Sequence, residues 1–148
     1  MGLTTEVKIT VIGERPVFLL EDHPYRIGWF HDRLGGTIEV FTSGYLAIAR
    51  LNVLRSDCIL QGYYSAFFLD HDLGSIEQSG GEDVARVMQT LGLQGHDTIV
   101  HSWNPGGSLK ICEYLPMAVR IPFGGFEVER RIEAWNCQDV NLISIEGR

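Results

Sequence analysis

Three short polar groups each follow an apolar stretch: Glu21-Asp22-His23 after Val17 to Leu20, Asp70-His71-Asp72 after Ala66 to Leu69, and His101-Ser102 after Thr98 to Val100. Imidazole gives and takes protons near neutral pH, so His71 and His101 are a candidate acid/base pair. Taken singly, each histidine reads equally as a hydrogen-bonded residue at a strand end. The clustered carboxylates would repel an anionic ligand unless something offsets them, and two solutions are open. Asp70 and Asp72 orient and charge the histidines, as a carboxylate does for imidazole in a triad. Alternatively, Asp22 and Asp70 hold a divalent cation such as Mg²⁺, which takes oxygen ligands and bridges to phosphates.

The stretch His101 to Gly107 adds a second kind of chemistry. Asn104 suits an N-cap, Pro105 suits the first helical position, and Gly106-Gly107 leave backbone amides uncovered. Bare amides at a helix N-terminus form an anion site, and the same residues also describe a plainly capped helix. Arg26, Lys110 and Arg120 are the nearby candidate cations. Trp103 either stacks on a base or wedges into packing.

The elements that must position these groups follow from periodicity. Residues 6–12 alternate as a half-buried strand, and residues 17–20 form a fully apolar one. Pro24 opens a helix with Ile27, Phe30 and Leu34 on one face, capped by Asp22 or His23 and stopped by Gly35-Gly36. A strand at 37–41 precedes a helix from Tyr45 to about Leu54, whose face shows Leu46, Ala49 and Val53. After the strand at 66–69, Ser79 and Glu82 form a capping-box pattern ahead of Val84, Val87, Met88 and Leu91. A strand at 97–101, a helix toward Tyr114 and a strand at 117–122 follow. Glu127 to Trp135 fits a helix or a strand, and Asp139 to Ile143 a short strand. Strands alternating with helices predict an α/β fold: a flavodoxin-like, doubly wound, mostly parallel sheet with an extra N-terminal edge strand. In such a sheet, ligands sit outside the carboxyl ends of the strands, where all three polar groups fall.

The 148 residues suit one domain over 1–144. Ile145-Glu146-Gly147-Arg148 matches a protease recognition tetrapeptide of the kind left after tag removal, and is set aside. A net charge of −7 argues against general nucleic-acid coating. It leaves room for a nucleotide or an RNA terminus held by local cations. No apolar run reaches membrane-spanning length and no signal peptide opens the chain, so a cytoplasmic protein without membrane partners is expected. Cys58, Cys112 and Cys137 read as reduced, mostly buried thiols.

Leu69-Asp70-His71-Asp72-Leu73-Gly74, Gly81-Glu82-Asp83-Val84-Ala85 and Val100 to Gly107, with Leu20-Glu21-Asp22, resemble the cyclic-phosphate-processing receiver-like family, an offshoot of the response-regulator receiver fold. The resemblance spans roughly residues 17–122. It implies a receiver-like sandwich and a cyclic phosphodiesterase-like hydrolase acting on a small phosphorylated molecule, a 2′,3′-cyclic nucleotide or an RNA end. One histidine would activate water and the other protonate the leaving ribose oxygen, with Ser102, Asn104, Gly106, Gly107 and Arg26 around the phosphate. Compared with a phosphorylated receiver, Asp70 takes the phosphoacceptor-like position and Ser102 the hydroxyl position. Arg120 stands where a lysine is expected, which speaks against phosphorelay signalling. The competing expectation is a non-catalytic regulatory or binding module that holds Mg²⁺, a phosphate or nucleotide, or a protein partner. A third is an Mg²⁺-dependent enzyme with Asp70 as nucleophile.

Overall fold

A computed structural model describes residues 7–35, 37–73, 80–132 and 143–147. The chain runs β1 (Val7–Ile12), β2 (Val17–Leu20), α1 (Pro24–Leu34), β3 (Ile38–Phe41), α2 (Gly44–Ser56), β4 (Ala66–Leu69), α3 (Gly81–Thr90), β5 (Thr98–Val100), α4 (Pro105–Tyr114), β6 (Val119–Arg120), β7 (Phe126–Arg131) and β8 (Ile143–Glu146).

Strands β2 to β6 form a parallel five-stranded sheet in the order β3-β2-β4-β5-β6. Counted within the sheet this is the flavodoxin-type order, with its switch point between β2 and β4. The α/β, doubly wound expectation therefore describes this sheet. Register aligns the carboxyl ends: Leu20 pairs with Leu69, and Leu69 with Val100. The ladder runs one residue further, through Asp70 N–H to Leu20 O at 3.1 Å and His101 N–H to Leu69 O at 3.0 Å. Glu21, Asp70 and His101 consequently stand level on three adjacent strands.

Alternation divides the core in two. Phe18, Leu20, Phe67, Leu69 and Val100 face α2, α3 and α4, while Val17, Leu19, Ala66, Phe68 and Ile99 face Phe30 and Leu34 of α1. The extra N-terminal strand lies outside the main sheet. It is the middle of a second one, β7-β1-β8, with β7 parallel and β8 antiparallel to it. Ile9, Val11, Phe126 and Val128 of this small sheet close the α1 side of the core. In β7 apolar Phe126 and Val128 alternate with charged residues, so Glu127 to Arg131 is strand and not helix; residues 133–142 lie outside the described residues. Ile145 and Glu146, set aside in the sequence reading, are β8 residues paired with Ile9 and Lys8.

Three further expectations need correction. Helix α2 buries Gly44, Ala47, Leu51 and Leu54, and leaves Leu46, Ala49 and Val53 exposed. Apolar residues occupy both faces, so spacing alone does not choose. The face carrying small Gly44 and Ala47 is the one that packs on the sheet. The strand expected over 117–122 is only Val119–Arg120, with Met117 exposed. Cys58 is exposed and Cys112 half-buried, while Cys137 and the Ser79 of the capping box lie outside the described residues. Helix α3 starts from Gly80 with no side-chain cap bond.

On β3, Glu39 accepts hydrogen bonds from Arg50 Nε at 3.0 Å, Tyr63 at 3.0 Å and Tyr64 at 2.8 Å. Burial disfavours its charge, but Arg50 and the two tyrosines more than offset this and hold the carboxyl below its ordinary 4.5. A lowered folded pKa contributes stability that is complete above the unfolded value and lost as pH falls through the folded one. Glu39→Gln should cost roughly 1.5–3 kcal/mol at neutral pH. The cost should shrink as pH falls through the folded pKa, where the wild-type carboxylate also takes up its proton; urea melts across the acid range read this out. The α2 face is checked the same way. Leu51→Ala should cost about 2–5 kcal/mol, and Leu46→Ala within roughly 0.5 kcal/mol.

Candidate functional site

The level ends of β2, β4 and β5 create a buried polar centre. Glu21 and His101 have no solvent exposure, and Asp70 has 4 %. His101 Nε2 lies 2.9 Å from Glu21 Oε1. Glu21 Oε2 accepts from the amides of Asp22 at 3.1 Å and His23 at 3.2 Å. Asp70 Oδ1 accepts from the His71 amide at 2.9 Å, and Ser102 donates a further bond to this carboxylate. Arg26 reaches in from the first turn of α1, with Nη1 3.6 Å from Glu21 Oε1 and 4.0 Å from Asp70 Oδ2. Its guanidinium lies 4.7 Å from the Trp103 ring centre and 4.9 Å from that of Phe123. The helix is aimed by Pro24 at its start and by His23, whose Nδ1 accepts from the Tyr25 amide at 3.2 Å.

Two buried carboxylates side by side respond differently. Burial disfavours the Glu21 charge, but the hydrogen bond and charge of His101, the His23 amide and Arg26 prevail and hold its pKa below 4.5. Burial pushes Asp70 above its ordinary 3.8. His101, Ser102 and Arg26 oppose that rise without cancelling it, and the Glu21 charge adds to it. Among the described residues, Glu21, Asp70 and His101 are the group able to hold a metal ion, with ligand atoms within 4.8 Å of one another. Asp22, proposed from sequence as a ligand, is not in that group; its amide serves Glu21 instead.

A second constellation lies on the other side of the sheet edge. His71 Nδ1 is 2.7 Å from Asp72 Oδ1, and both Asp72 oxygens lie 3.3 Å from the Asn104 amide nitrogen. The His71 hydrogen bond, against a smaller burial penalty, holds Asp72 below its ordinary 3.8, with Asn104 adding to the effect. The imidazole lies against the start of α4, where a Cβ at Gly107 would run into its ring. Its Nε2 is 4.0 Å from Glu82 in the first turn of α3. His71 keeps 21 % of its side chain exposed.

The structure thus separates the histidines that sequence reading paired. His101 packs on Phe30 of α1 at 5.5 Å between ring centres, whereas His71 meets α3 and α4. The anion cradle expected at Asn104 to Gly107 is largely in use already. The Gly107 amide donates to Asn104 Oδ1 at 2.9 Å, the Ser108 amide to Asn104 O at 2.9 Å, and Pro105 has no N–H. Of the expected phosphate contacts, Gly106 alone is an exposed glycine there, while Ser102 is buried against Asp70. Glu21 was not singled out as a site residue from sequence. The available signal was its place as the first polar residue after an apolar strand, equivalent to Asp70 and His101.

No protein-family model matches the chain and no curated protein is found similar to it, so the resemblance to cyclic-phosphate-processing proteins gains no support there. Solved structures do match in shape. The phosphorylated cyanobacterial phytochrome response regulator RcpA aligns with a TM-score of 0.56 at 18 % identity, covering 74 % of this chain and 81 % of that one. A fusion carrying the trimeric coiled-coil segment of yeast Spc42 aligns with a TM-score of 0.55 at 16 % identity, covering 76 % of this chain and 70 % of that one. At these identities the likeness is one of fold: the chain has a receiver-like α/β architecture with additional strands.

Proposed function

We propose that this chain is a receiver-like regulatory module that takes a divalent cation at the carboxyl edge of its sheet. The observation that carries the reading is the convergence of Glu21, Asp70 and His101 at the switch point, where an open α/β sheet binds its ligands. The residues fit a cation better than an anion. Two carboxylates meet there, and among the described residues Arg26 is the arginine or lysine that reaches both, at 3.6 and 4.0 Å. Two carboxylates and an imidazole suit Mn²⁺ or another first-row ion, while Mg²⁺ would draw on the carboxylates alone. A bound ion would supply the charge that Arg26 now supplies and leave that side chain free to move. Occupancy then changes the surface that Arg26, Trp103 and Phe123 form.

Thermal melts with Mn²⁺, Mg²⁺, Zn²⁺ and chelator test this. At a hundredfold excess over Kd, the preferred ion should stabilise the fold by about 2.7 kcal/mol. Asp70→Asn should lose that shift while keeping the wild-type circular dichroism spectrum. Equal melting in every condition, or an undiminished shift in Asp70→Asn, would remove the reading.

A second reading rests on one specific observation, the half-exposed His71–Asp72 pair at 2.7 Å. Asp72 accepting from Nδ1–H leaves Nε2 as a base, the arrangement that activates water in a hydrolase. On a 2′,3′-cyclic phosphate, the water oxygen would bond to phosphorus and one ribose P–O bond would break. Nε2 would carry the water proton to the departing ribose oxygen. One imidazole serves both transfers, because His101 is fully buried. Phosphorus NMR on a cyclic-nucleotide panel should then show ring opening that His71→Ala abolishes, by roughly 10²-fold or more. A panel unchanged by the protein would exclude this reading and leave the cation module standing.

A further inference from the structure

The indole of Trp103 is 66 % exposed, yet it is not a loose side chain. Its Nε1–H donates to Phe123 O at 2.6 Å, and the Arg26 guanidinium covers the ring at 4.7 Å. One edge and one face are therefore fixed, and the exposure that remains belongs to an aromatic surface already held in place. The ring also lines a cavity of about 310 Å³ with Ser102, Pro105, Ser108, Arg120 and Pro122. That volume is at the lower end for small-molecule sites. The walls are flat and apolar at the two prolines and cationic at Arg120, which is exposed, while the Ser102 and Ser108 hydroxyls are given to Asp70 and to Ser102 O.

We propose that this cavity binds a nucleoside monophosphate, with the base stacked on Trp103 and the phosphate at Arg120. Stacking on an indole is sequence-tolerant, because every base has a π-face. A ring already immobilised loses little freedom when a base settles on it, and pre-organisation of that kind raises affinity. The acidic centre at Glu21 and Asp70 requires the phosphate to lie on the Arg120 side. The site uses neither Asp70 nor His71 as a contact, so it stands without either functional reading above and meets the cation centre only through Arg26.

The experiment titrates the full chain, in chelator, with AMP, GMP, CMP, UMP, adenosine and ribose 5-phosphate. It follows tryptophan fluorescence together with the indole N–H signals in a nitrogen-15 correlation spectrum. The monophosphates should saturate with the Trp103 indole signal moving, purines more tightly than pyrimidines, and ribose 5-phosphate should leave that signal in place. Trp103→Ala should weaken AMP roughly 5- to 150-fold, the range for losing one base–aromatic stack. Trp103→Phe, which keeps a smaller ring, should recover part of that loss and guards against a folding defect in the alanine variant. Arg120→Ala should weaken AMP but not adenosine. A silent wild-type titration, equal affinity in Trp103→Ala, or ribose 5-phosphate acting like AMP would each overturn the proposal.

Discussion

Two carboxylates buried side by side at the end of a parallel sheet are the constraint on which the rest of this structure depends. Register leaves no choice about their proximity, because Leu20, Leu69 and Val100 are laterally paired and the next residues are Glu21, Asp70 and His101. Isolated buried charges cost several kcal/mol each, so such a centre persists only where partners are supplied. Glu21 is satisfied on both oxygens, by two amides on one and by His101 and Arg26 on the other. Burial pushes Asp70 above its ordinary 3.8, and the partners it receives do not cancel that rise. Neutralising the pair fixes where α1 must begin, since Arg26 has to arrive from its first turn. It also recruits Trp103 and Phe123, which hold the guanidinium from loops after β5 and β6.

The same two-residue alternation that sorts the core sorts the site. Residues in phase with Val17, Phe68 and Ile99 go to the α1 side, which is where Glu21, Asp70 and His101 meet Phe30 and Arg26. Residues out of phase go to α3 and α4, where His71 meets Glu82 and Gly107. An active site drawn by listing polar residues after strands merges two environments of different dielectric. One side is dry and holds charges in pairs; the other is open, with an imidazole held by Asp72 and Asn104 at its rim.

This division also explains what the sequence made legible. The five parallel strands were readable because Val17 to Leu20 and Ala66 to Leu69 are short apolar runs closed by polar residues, and Pro24 and Pro105 mark helix starts. The small sheet was not, because β1 finds its partner at Phe126 to Arg131, and no local pattern encodes a pairing over that separation. The α2 face was misread because Leu46 and Val53 are as apolar as Leu51 and Leu54. Gly107 looked like part of a phosphate loop. Its lack of a side chain is instead required by the imidazole lying across it, and its amide is spent on Asn104. A glycine records that something approaches closely without recording what.

Arg26 is shared by the cation centre and the nucleotide platform, so the two proposed ligands are linked through one side chain. Its charge balances Glu21 and Asp70, and its guanidinium forms the back of the Trp103 ring. A divalent ion between the carboxylates removes the attraction that draws Arg26 inward and adds a repulsion of the same sign. If the guanidinium leaves the indole, the stacking surface loses its support and nucleotide affinity falls. If it shifts further over the ring, affinity rises. Either way, linkage requires the nucleotide to alter ion affinity by the same factor in the same direction. A centre that must neutralise two buried carboxylates with a movable arginine can thereby transmit its occupancy to the surface without any shift of the sheet beneath it.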